Sequence, residues 1–145
     1  MTEDFDLERF VRAQQAGGSY EQALGELRRG RKTSHWMWFV FPQVAGLGRS
    51  STAQRYAIGS LAEARAYLAH PVLGSRLREC ASTVLGLTGR TAEEVFGGID
   101  ALKLCSSLTL FEQASPDEPL FGSVLERYYA GLRDPATVRI LADLG

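Results

Sequence analysis

Apolar residues recur at helical spacing along most of the chain. Tyr20, Ala23, Leu24 and Leu27 fall at i, i+3, i+4 and i+7, and Leu73, Leu77, Cys80, Ala81 and Val84 trace one face of a longer segment. Period-two alternation bounded by turns is absent, so no strand is predicted. Helix punctuation is frequent. Asp6 is placed to cap a first helix that turns Leu7, Phe10 and Val11 inward. Ser19 with Gln22, Ser60 with Glu63 and Thr91 with Glu94 have the spacing of capping boxes, in which each side chain satisfies the other's backbone amide. Gly30 is a good terminator for the second helix. The run Ser34–Phe41, S-H-W-M-W-F-V-F, predicts a short buried helix ended by Pro42. A glycine-bearing loop follows over Val44–Ser50, and Ser50 or Ser51 caps a short helix through Tyr56. His70-Pro71 breaks the helix that Ser60 opens. Gly97-Gly98 precedes a helix with Asp100 as its cap and Leu104, Leu108 and Phe111 inward. Beyond the turn Pro116–Pro119, a helix carries Leu120, Val124, Leu125 and Tyr128 and closes at Gly131. Asp134-Pro135 pairs a cap with proline at the first helical position and opens a last helix with Val138 and Leu141 inward. The pattern predicts an all-α, compact multihelical single domain over residues 1–145, with eight or nine short helices and no regular repeat.

Composition narrows the class. At 145 residues, with 45% hydrophobic and 23% charged, the chain can bury a core without disulfide or metal. It holds no apolar run long enough to cross a membrane, and Met1–Phe10 is acidic with no signal-peptide stretch. Cys80 and Cys105 lie in apolar periodic segments and lack metal-ligand spacing, which suggests two buried thiols in a reducing cytoplasm. No metal site and no cofactor motif is found. A net charge of −1 argues against general nucleic-acid binding.

That charge is unevenly spread. Leu27–Ala62 contains no Asp or Glu but holds Arg28, Arg29, Arg31, Lys32, Arg49 and Arg55. Both tryptophans lie in this window. Residues two apart on a helix point about 200° apart, so Trp36 and Trp38 cannot share a face. One enters the core while the other lines a groove or a second packing surface; alternatively both are structural. His35 precedes them with no nucleophile beside it, as a hydrogen-bonded structural residue or an acid/base. Gly46-Leu47-Gly48-Arg49-Ser50 before a helix start is similar to an anion-binding loop, although it lacks the Walker lysine. Arg28, Arg29, Arg31 and Lys32 crowd one helix end, as a solvated terminus or a phosphate patch. Lys103 sits one turn after Asp100, at ion-pair spacing. Ser106, Ser107 and Thr109 put hydroxyls into an apolar helix, for carbonyls one turn back or for a polar pocket.

The segments S-H-W-M-W-F-V-F-P-Q, G-L-G-R-S, H-P-V-L-G-x-R-L and F-G-G-I-D-A-L-K-L-C-S-S-L-T-L-F together resemble a bacterial and fungal family of unknown function. Its members are often labelled calpastatin in automated annotation. The resemblance implies a multihelical single domain and no established activity. Its distinctive residues here are His35, Trp36, Trp38, Pro42, Gln43, Gly46, Gly48, Ser50, Tyr56 and Lys103. With Arg49 they suggest a cleft for a small anionic ligand such as a nucleotide. Trp36 or Trp38 would stack, Arg49 and Lys103 would meet the anion, and His35, Gln43 and Tyr56 would hydrogen-bond. A helical protein-interaction module is the alternative. A small enzyme using His35 on a nucleotide-like metabolite is a third reading.

Overall fold

The computed structural model describes residues 5–144. Met1–Asp4, part of the acidic terminus, lie outside it. The described residues form ten α-helical segments: α1 (Glu8–Gln15), α2 (Ser19–Arg28), α3 (Met37–Val40), α4 (Ser51–Arg55), α5 (Leu61–Ala69), α6 (Leu73–Gly86), α7 (Ala92–Phe96), α8 (Gly98–Ala114), α9 (Pro119–Tyr129) and α10 (Pro135–Leu144). The all-α expectation holds, with one isolated parallel bridge between Val44 and Ile58. Among the described residues no helix is long and apolar enough to cross a membrane.

The buried side chains form one contiguous core around α8. This helix packs against α5, α7, α9 and α10. Its apolar residues run almost all round, as burial on several sides requires. Leu104, Leu108, Leu110 and Phe111 are all inaccessible to solvent. Its hydroxyls are mostly satisfied locally, since Ser106 donates to the Leu102 carbonyl at 3.2 Å and Thr109 to that of Cys105 at 2.8 Å. The expected face of α6 is buried in full. Burial pushes the Cys80 thiol up to about 12, against a hydrogen bond from Tyr20 that lowers it, so Cys80 is an inert thiol. Cys105 is half-buried rather than buried.

Several caps form as their spacing predicts. Thr91 and Glu94 make the full reciprocal box. Ser60 accepts from the Glu63 amide at 3.0 Å, while Glu63 reaches one residue further back, to the Gly59 amide at 2.9 Å. Asp134 Oδ2 accepts from the Thr137 amide at 3.1 Å and also from the Thr137 and Ser106 hydroxyls. Asp134→Ala is therefore expected to cost about 1–2 kcal/mol in urea denaturation, since it removes a helix cap.

Four local expectations are corrected. Asp6 adopts a left-handed conformation, and Leu7 stands at the start of α1 without a side-chain cap. Gly17 and Gly18, both at positive φ, turn the chain so that Ser19 already lies within α2 and donates back to the Ala16 carbonyl, so no box forms with Gln22. Asp100 lies inside the first turn of α8, with Gly97 at its entry. In α10, Thr137 and Leu141 turn inward and Val138 faces solvent, because Asp134 draws Thr137 to the core side.

Candidate functional site

The segment between α2 and α3 is shaped by a residue the sequence reading passed over. Glu26 is fully buried on the core face of α2. Its carboxylate accepts from the Thr33 amide at 2.7 Å, the Ser34 amide at 3.0 Å, the Ser34 hydroxyl at 2.6 Å and Trp36 Nε1 at 2.9 Å. Burial alone would raise its pKa. The bonds from Ser34, Thr33 and Trp36 outweigh that effect and hold the carboxyl down at about 2. Glu26 stands three residues after Ala23, on the apolar face, and that spacing was the available signal.

This anchor decides where the two tryptophans go. Trp36 is buried, tilted against Phe41 and edge-on to Phe96, and its ring is closed to any ligand. Trp38 is half-buried and lines an open groove of about 380 Å³ with Lys32, His35, Phe96, Ile99 and Lys103. The Lys103 ammonium lies over the Trp38 ring, 5.1 Å from its centroid. Gly97 and Gly98 also line the groove, so the start of α8 faces it. No side chain caps that end, which leaves the first amides of the helix available.

The charge of the groove is smaller than the acid-free window suggests. Asp100 enters it from α8 and pairs with Lys32 at 2.8 Å and Lys103 at 3.7 Å. The Lys32 side chain is only 6% exposed and also donates to the Ser34 carbonyl at 2.6 Å. Two lysines against one aspartate leave a single positive charge, with His35 exposed at the rim. Arg28 turns elsewhere, to Glu79 at 3.9 Å, and the Arg55 guanidinium lies over Tyr56. The basic residues of the window thus form no continuous stripe.

The other predicted site residues divide. Gln43, Gly48 and Tyr56 line a narrow crevice that shares Trp38 with the groove. The backbone of Gln43 accepts from the Ile58 amide at 2.9 Å, clamping the base of the loop that carries α4. A Cβ on Gly48 would stand 2.4 Å from the Ala53 Cβ, so the close approach of loop to helix requires glycine. Gly46, Arg49 and Ser50 are exposed and line neither the groove nor the crevice. Ser50 Oγ accepts from the Ala53 amide at 3.1 Å and so occupies the place an anion would take at the start of α4. Tyr56 packs against Phe10 and Phe39. Among the described residues there is no cluster of metal-ligating side chains.

Fold and groove define an all-helical protein with an open, mixed-polarity groove beside one half-buried tryptophan. The chain belongs to the family described as a protein of unknown function, DUF1810, whose model matches residues 4–141. It is similar to a solved structure, the conserved hypothetical protein Rv1873 from Mycobacterium tuberculosis. The two chains are 53% identical, with 97% of this chain and 99% of that chain covered and a TM-score of 0.93. Among curated proteins no match is found.

Proposed function

We propose that the groove binds a small anionic ligand with a planar ring, of nucleotide type. The observation that carries this reading is the meeting of Trp38, Lys103, His35 and the uncapped start of α8 in one cleft. The ring would stack on Trp38 in place of the Lys103 ammonium. The anionic group would be met by Lys103 and the first amides of α8, where the helix dipole favours negative charge. His35 supplies a hydrogen bond from the rim. Gln43 and Tyr56, across Trp38, hold the stacking ring in place rather than reach the ligand. Arg49 and Trp36 have no part in it. The cytoplasm, where such metabolites are abundant, is the proposed compartment.

A thermal-shift screen against nucleotides and other anionic metabolites tests the proposal. A ligand at 100 times its Kd is expected to stabilise by about 2.7 kcal/mol. For a chain of this size that raises the midpoint by about 5–10 °C. Lys103→Met should abolish the shift for the anionic ligand while leaving the unliganded midpoint nearly unchanged. A panel that produces no shift in the wild-type protein defeats the proposal.

A second reading rests on a different observation. Ile99 and Leu102, one turn apart on α8, are 73% and 71% exposed and so present two large apolar side chains side by side. They would serve a helical interaction module. Leu102→Glu, outside the lining of the groove, would abolish capture of a partner under that reading and leave ligand-induced stabilisation intact under the first.

A further inference from the structure

Away from this groove, a second open cleft of about 410 Å³ is lined by Tyr20 of α2 and by Pro71, Val72, Ser75, Arg76 and Glu79 at the start of α6. Its central feature is Arg76. The guanidinium lies over the Tyr20 ring, 4.6 Å from the centroid, and Nη1 donates to Gln14 Oε1 at 3.2 Å. Gln14 is itself buried, and its amide nitrogen donates to the Phe39 carbonyl at 2.7 Å and to the Tyr67 hydroxyl at 3.3 Å. Those two bonds fix which way the amide faces, so its oxygen is aimed at Arg76. Two rigid neighbours therefore hold the cation in place.

Arg76 forms no ion pair among the described residues. A guanidinium carries five N–H donors, and Gln14 engages one group of them. A buried amide and an aromatic face that orient a half-buried guanidinium toward a cleft make the arrangement that planar recognition of a carboxylate uses. The acid of the cleft is Glu79, three residues on and therefore on the same side of α6. Glu79 accepts the Tyr20 hydroxyl through one oxygen, pairs loosely with the exposed Arg28 at 3.9 Å through the other, and keeps about half its side chain in solvent.

We propose that this cleft is a binding site for a small zwitterion of amino-acid type. Arg76 takes the carboxylate through its planar fork, and Glu79 takes the ammonium. A phosphate dianion also fits the fork of Arg76 but meets the Glu79 carboxylate as a like charge. The site is independent of the groove, so failure of one proposal leaves the other standing.

The test follows the Arg76 side-chain N–H resonance in the isotope-labelled full chain while glycine, acetate or inorganic phosphate is added separately. Glycine is expected to shift it saturably at millimolar concentration, with acetate weaker and phosphate weakest. Arg76→Lys keeps the charge but loses the fork, and should weaken glycine binding about tenfold. Glu79→Gln retains an acceptor for the Tyr20 hydroxyl and stands at an exposed position, so it keeps the fold. It should remove the preference for glycine over acetate. The proposal is overturned if no probe moves the resonance, if phosphate binds best, or if Glu79→Gln leaves the order of the probes unchanged.

Discussion

Glu26→Gln is expected to lower the stability of the protein by about 3 kcal/mol at neutral pH. Glutamine keeps the volume but replaces one oxygen with an NH2 group that faces donors. The Thr33, Ser34 and Trp36 N–H groups, which already share Oε1, are left with a neutral carbonyl in place of a charged acceptor, and the new NH2 takes the place of Oε2, where it faces the Gln22 amide nitrogen. The sign of the pH dependence follows from the lowered carboxyl. In the folded state it titrates at about 2, against an ordinary value of 4.5. Its contribution is complete above the ordinary value and is lost as pH falls toward 2. The stability gap between wild type and Glu26→Gln, read by urea denaturation, should therefore narrow from about 3 kcal/mol at pH 7 to about 1 kcal/mol at pH 3. A gap that stays constant over this range would show that Glu26 acts through packing and not through its charge.

Phe111→Ala is expected to cost about 3–5 kcal/mol, with a fall in midpoint of roughly 10–15 °C. Phe111 lies at zero exposure near the end of α8, where its ring meets Tyr67 at 5.3 Å and Phe121 at 6.1 Å. Removing it opens a cavity between α5, α8 and α9 that rigid neighbours cannot close. A domain of this size is typically stable by only about 5–15 kcal/mol, so the loss is a large fraction of the whole. Phe111→Leu refills most of the volume and should cost about 1–2 kcal/mol. Differential scanning calorimetry separates the two variants.

Much of the fold was legible because its determinants are local. The spacing of Leu73, Leu77, Cys80, Ala81 and Val84 specifies α6, and Thr91-Glu94 and Asp134-Pro135 mark the starts of α7 and α10 within four residues of chain. The corrections came where a neighbour outside the helix decides. Ser19 looks like a cap until two left-handed glycines start the helix earlier. Asp100 looks like a cap until Lys32, 68 positions away in the chain, draws it into a pair.

The candidate site was legible only in part, for the same reason. The divergence of Trp36 and Trp38 follows from helical geometry alone. Which of them faces solvent depends on Glu26, whose carboxylate reaches Trp36 through the fold. Arg49 and the glycines around it read as an anion loop because a helix start follows them. That start is already satisfied by Ser50. The start of α8, which no motif advertised, is the helix end that opens on the groove.

Tryptophan emission during ligand titration tests the groove most directly. Trp38 is half-buried and lines it, whereas Trp36 is sealed in the core. With the best ligand from the thermal-shift panel, wild-type emission should be quenched saturably. In Trp38→Phe, where only Trp36 emits, the signal should stay flat. Equal saturable quenching in both proteins would place the ligand beside Trp36 and contradict a binding groove built on Trp38.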